Sequence, residues 1–195
     1  MADAQNLAVK RSVVRVLLLS IVSFGLYGLY WFYVTRTQVD EELGNERSTN
    51  VSPAIQLLTF FIPFVNIVTL LVFGYYLYKD ISALRGKVSL EQYPAGWYFF
   101  GPLIPAILLG WIPIIGQLVA LVPTVIFYIV VSKLNEYWDK KTNGKATDAK
   151  VTGGEIAVVV AGIVVFVLFL VLGVAAALLG GSAVETDTNT IQFDT

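Results

Sequence analysis

The sequence predicts an all-α integral membrane protein: repeated helical hairpins in three units, followed by one C-terminal transmembrane helix. Three observations predict it. Apolar residues make up 56% of the 195 and charged residues only 14%, against about 25% charged in an ordinary soluble domain. One core in a chain of this size cannot hide so much apolar surface. The apolar residues also fall into four blocks, 13–34, 53–78, 96–132 and 156–180, and Arg15 is the only charge inside them.

Taken in order, residues 1–12 form a polar N-terminal segment carrying Lys10 and Arg11. Unit one covers 13–46. Its apolar run is broken by Arg15, one turn from an end, where the side chain is expected to snorkel. No small-x-small cleavage site follows, so the run reads as a retained segment and not as a signal peptide. Gly25 and Gly28 permit a turn or a close helix approach, and Tyr27, Tyr30, Trp31 and Tyr33 suit the headgroup level.

Unit two covers 52–87 and unit three 94–142. The third block is too long for one span, and Ile112-Pro113-Ile114-Ile115-Gly116 near its middle predicts a turn between two helices. An internal echo supports this. Pro53-Ala54-Ile55 and Ile62-Pro63 return 50 residues later as Pro105-Ala106-Ile107 (offset by two) and Ile112-Pro113, and Tyr78, Ser82 and Leu84 match Tyr128, Ser132 and Leu134. A weaker echo at a spacing of 46 relates Gly28 and Tyr30 to Gly74 and Tyr76. Each unit ends in a short polar helix expected to lie in water, with Arg36–Asp40 and Glu136–Lys140 as i,i+4 pairs.

Residues 143–155 read as a linker. Residues 156–181 have no charge and no proline, and at 1.5 Å per residue the 24 residues from Ile156 to Leu179 would reach about 36 Å, enough to cross a bilayer. Residues 182–195 read as an acidic disordered tail. Lys and Arg number three up to Arg15, then two, three and five in the successive connectors, and none in the tail. The positive-inside rule therefore predicts a cell-membrane protein with a cytoplasmic N-terminus and an extracytoplasmic C-terminal tail. Two arrangements satisfy it. Either units one and two each cross once, or all three are hairpins, in which case residues 35–52 are also cytoplasmic. The hairpins are short for the second arrangement: Pro53 to Phe61 reaches about 14 Å, so they would enter the bilayer without crossing it.

Composition narrows the chemistry. The chain has no Cys and no His. That removes disulfides, thiolate ligands, the commonest general base and the commonest transition-metal ligand. Asp40-Glu41-Glu42 points to different faces of a helix and reads as a solvated face. Ser82 and Ser132-Lys133 carry no mark of a Ser–Lys nucleophile, and Gly153-Gly154 is too short for a phosphate loop. Gln56, Asn66 and Gln117 are the intramembrane amides, read as partners for the backbone. No catalytic residue, cofactor or metal is predicted, and a net charge of −1 gives no reason to expect nucleic acid. The expected partners are the lipid bilayer and a second membrane helix, of this chain or another, meeting the small-residue face of Gly173, Ala177 and Gly181.

The run from Arg11-Ser12 through Ser23-Phe24-Gly25-Leu26-Tyr27-Gly28-Leu29-Tyr30-Trp31-Phe32-Tyr33 into a polar helix resembles the domain-of-unknown-function 4234 family of prokaryotic membrane proteins. The resemblance covers about residues 10–84. It implies a prokaryotic membrane location and a helical fold, and it supplies no activity or catalytic residue. The expected role is that of a non-enzymatic multi-pass protein: a scaffold, assembly or regulatory factor, or a bilayer-shaping protein. An oligomeric channel or facilitator is the alternative, and a lipid-acting membrane enzyme the second.

Overall fold

The computed structural model describes residues 9–184, which form seven α-helices, a 3₁₀ turn at Gly44–Glu46 and a two-residue parallel ladder. The helices are α1 (Val13–Val22), α2 (Leu26–Leu43), α3 (Pro53–Thr59), α4 (Val65–Lys87), α5 (Ala95–Leu109), α6 (Ile115–Lys141) and α7 (Gly153–Val184). The fold is all-α. Strand β1 (Val9–Lys10) pairs with β2 (Thr147–Asp148), tying the start of the chain to the segment after α6. The acidic tail from residue 185 and the first eight residues lie outside the described residues.

Each start has a local cause. The Ser12 hydroxyl accepts from the Arg15 amide and caps α1, and Ser52 does the same for α3, where Pro53 fills the first turn. Thr152 and Glu155 close a capping box at α7: the Glu155 amide donates to Thr152 Oγ1 (3.2 Å) and the Thr152 amide to a Glu155 carboxylate oxygen (3.1 Å).

Short and long helices alternate, each pair joined by a tight turn. The turns at 60–64 and 110–114, 50 residues apart, have the same construction. In the first, the Val65 amide donates to the Pro63 carbonyl (2.8 Å) and the Asn66 amide to Ile62 (2.9 Å). In the second, Ile115 donates to Pro113 (2.8 Å) and Gly116 to Ile112 (2.7 Å). Each proline lacks the donor that would continue the helix. Phe64 (φ 64°) and Ile114 (φ 67°) then reverse the chain in the left-handed region. That conformation is unfavourable for a bulky residue and most so for β-branched Ile114. In the turn before α2 a glycine, Gly25 (φ 88°), takes this place.

The core lies where the C-terminal halves of α2, α4 and α6 meet. Val39, Ile81, Leu84, Val130 and Tyr137 are at most 1% exposed there. These halves were expected to be short polar helices; their inward faces form the best-buried part of the molecule. The i,i+3/i+4 stripes Val39–Leu43, Leu77–Ile81–Leu84 and Val130–Leu134–Tyr137 supply the apolar faces.

Candidate functional site

Charge burial marks this core. The Arg36 side chain is 0% exposed. Its Nη1 donates to Asp80 at 2.7 Å, joining α2 to α4, and its Nη2 lies 2.6 Å from Asp40. The Asp40 contact is off hydrogen-bond angle, so it acts mainly through charge. Asp80 also accepts from the Ser48 amide (3.1 Å) and hydroxyl, which fastens the 44–52 loop. Burial pushes the Asp40 carboxyl above its usual range, against the pull of Arg36. On the far side of α4, Arg85 donates to Glu136 (2.7 Å), the Lys133 carbonyl (2.9 Å) and the Glu91 carbonyl (2.8 Å), joining α4 to α6. Glu42 accepts from Tyr137 (2.8 Å) and pairs with Lys141, joining α2 to α6.

The N-terminal segment enters the same layer. Asn135 exchanges two hydrogen bonds with the Arg11 backbone (3.1 and 2.8 Å), Arg11 donates to Gln38 (3.1 Å), and Lys10 pairs with Asp139 (2.9 Å). Arg15 reaches the charged end from within α1. It pairs with Glu155, which is 2% exposed at the start of α7 and also accepts from the Tyr27 hydroxyl (2.7 Å). All 13 Lys and Arg thus lie on the segments that meet at one end of the bundle.

The opposite end is apolar. Phe61, Ile62 and Phe64 are exposed at one turn, and Trp111 and Ile114 at the other. Three helices, Val65–Lys87, Ile115–Lys141 and α7, are long and apolar enough to cross a membrane, whereas α1 and α5 are apolar but shorter. Helix α7 lies along hairpin one. A Cβ at Gly162 would sit 2.5 Å from the Ser23 carbonyl oxygen, and Phe24 stacks on Phe166 with ring centres 3.9 Å apart and planes 9° from parallel.

Of the residues singled out in the sequence, Asp40, Glu41 and Glu42 do diverge as helix geometry requires, yet Asp40 is buried and not on a solvated face. Glu136 pairs with Arg85 in place of the expected Lys140. Ser82 is buried, its hydroxyl donating to the Tyr93 carbonyl (2.7 Å) and accepting from the Tyr93 amide (3.1 Å). Ser132 is exposed. Gln56 Nε2 donates to the Val51 carbonyl (2.7 Å) from a buried position, while Asn66 and Gln117 are exposed near the turns. Gly173 and Ala177 are exposed and a Cβ at Gly173 would meet nothing; among the described glycines of α7, Gly162 packs on Ser23 and Gly154 on Tyr30; Gly181 lies outside the described side chains. Sequence reading missed Glu155, although Thr152-Gly153-Gly154-Glu155 before an apolar run is a legible capping box.

These features define an all-α protein whose apolar helices rise from a charged, interlocked base. Residues 11–85, hairpins one and two with the Arg36–Asp80 pair, match the family described as Domain of unknown function (DUF4234). Hairpin three and α7 lie beyond the match. Comparison with curated proteins and with solved structures found no match.

Proposed function

We propose that this is a membrane protein that inserts three hairpins from one face of the bilayer, crosses it with α7, and acts without chemistry of its own as a bilayer-shaping scaffold. The observation that carries the reading is the one-sided base. Residues 35–52 are bonded to the second and third connectors through Arg36–Asp80, Ser48–Asp80, Glu46–Lys87 and Glu42–Lys141. An arrangement that exports them would tear these contacts apart. With every Lys and Arg on that side, the base is cytoplasmic by the positive-inside rule, and α7, which starts there at Glu155, carries its far end outward.

Helix α7 serves as a ruler. Phe166 lies 11 residues beyond Glu155, about 16 Å along a helix, so the Phe24 tip stacked on it lies near the middle of a hydrocarbon core of about 30 Å. The Phe60–Phe64 and Gly110–Ile114 tips carry no charge to meet water, and they satisfy much of their own backbone, which the hydrocarbon demands. Helical mass entering mainly from one leaflet expands that leaflet over the other and favours curvature.

The test is reconstitution into vesicles, with imaging of vesicle shape and single-cysteine labelling from each side. Thr37→Cys and Asn50→Cys are expected to label from the base side alone, Ile62→Cys and Ile114→Cys to resist aqueous maleimide from both sides, and vesicles to narrow as protein is added. Labelling of Ile62→Cys from the far side would overturn the re-entrant arrangement. Unchanged vesicle shape at high protein density would overturn the shaping role.

A further inference from the structure

We infer that the cleft between α5 and α6 binds one anionic phospholipid, its acyl chain along the cleft and its phosphate at Lys133. The inference rests on hairpin three lying in the bilayer. The cleft has a volume of about 480 Å³, within the roughly 300–1,000 Å³ of small-molecule sites. Trp97, Gly101 and Pro105 line it at i, i+4 and i+8 on α5, and Val119, Val122 and Ile126 at i, i+3 and i+7 on α6. Such spacing puts each set on one helix face, and the wall runs about 12 Å along α5. The lining is mainly apolar, and Trp97, 75% exposed, stands at the end nearer the charged base. Glycine at 101 keeps the wall low: a Cβ there would already touch the Trp97 ring at 3.5 Å.

Charge complementarity identifies the occupant. Tyr98 belongs to the cleft lining, and the Lys133 ammonium lies 5.9 Å from its ring centre and 5.6 Å from that of Tyr93. Among the described residues no carboxylate pairs with Lys133. The nearest acid in sequence on α6, Glu136, is engaged by Arg85. Lys79, also without an ion-pair partner among the described residues, lines a recess next to Tyr93. An apolar cleft with a cation lacking a carboxylate partner at its headgroup end fits a lipid of net negative head; a zwitterionic lipid offers the same phosphate but brings its own ammonium, which offsets the attraction to Lys133.

The experiment reconstitutes the full chain into vesicles of equal phosphatidylglycerol and phosphatidylcholine. The protein is then extracted gently, and retained lipid is counted by mass spectrometry. Wild type is expected to keep about one phosphatidylglycerol per chain, favoured on the order of fivefold, the effect of one lysine near an anionic surface. Lys133→Arg is expected to preserve the preference and Lys133→Gln to remove it. Gly101→Leu is expected to abolish retention of either lipid, with helicity and thermal stability compared alongside. Equal retention of both lipids by wild type, or a preference unchanged in Lys133→Gln, would overturn the site. A chain that never enters the vesicles would instead overturn the membrane reading beneath it.

Discussion

Removing either partner of the Arg36–Asp80 pair is expected to destabilise the fold unequally. Breaking a buried ion pair costs about 3–5 kcal/mol, because the remaining charge is left uncompensated. In Asp80→Asn the guanidinium keeps Asp40 at 2.6 Å, so the loss is expected near 3 kcal/mol. In Arg36→Met two carboxylates, Asp40 and Asp80, lose the guanidinium they share, with only Arg47 left to act on Asp40, and the loss is expected near 5 kcal/mol. Asp80 keeps its Ser48 bonds, which limits the excess. The double variant Arg36→Met/Asp80→Leu removes the charge pair together and is expected to recover a large part of the Arg36→Met loss, since apolar replacement of a buried pair is often neutral or better. The assay is equilibrium unfolding of the purified protein in mild detergent, arranged as a double-mutant cycle. Losses below about 1 kcal/mol for both single variants would refute the reasoning, because exposed pairs behave that way. A double variant no better than the sum of the singles would do the same.

Three further outcomes follow from the geometry. Asp40 has its carboxyl raised from 3.8 by burial, so between 3.8 and its folded value the native state holds more protons than the unfolded one, and stability should fall as pH rises through that window; the effect should vanish in Asp40→Asn, and pH titrations of the unfolding midpoint measure it. Gly162→Leu should push α7 off hairpin one, read as loss of disulfide formation between cysteines placed at Phe24 and Phe166. Thr152→Ala should cost about 0.5–2 kcal/mol through the lost cap, and Glu155→Ala more, because it also strips Arg15 and Tyr27 of their shared acceptor; unfolding in detergent ranks the two.

The helices were legible where periodicity and punctuation agree. Pro63 and Pro113, each followed by an unfavourable left-handed residue, mark their turns in the sequence, and the 24 uncharged residues of the last block admit little but a helix. The local Arg36–Asp40 pair was legible from its spacing; the long-range side-chain pairing was not. Arg36 and Asp80 are 44 residues apart, and nothing local tells a solvated tail from one packed against two others. A polar helix with one apolar stripe satisfies either environment, and only the tertiary neighbour decides. Glu155 illustrates a different failure. Its cap was readable, but its ion pair with Arg15 spans 140 residues and depends on α7 returning to the base of hairpin one.

The charged base and the apolar tips are two parts of one solution. In the proposed arrangement, a hairpin that stops inside the bilayer would have no headgroup anchor at its far end, so its depth would have to be fixed from the near end. Arg36–Asp80, Arg85–Glu136 and Glu42–Lys141 join the three long helices pairwise at that end, and the Arg15–Glu155 pair adds α7. Because the buried Arg36–Asp80 pair is costly to break and the others fix the register beside it, one hairpin cannot slide deeper without dragging the others. Under the proposed function, a base locked this way would transmit the wedge of each hairpin to the bilayer as one body, whereas three independent hairpins would tilt and relax separately. Severing the base while leaving the tips intact, as in Arg36→Met, should therefore weaken the narrowing of vesicles even where the variant still inserts.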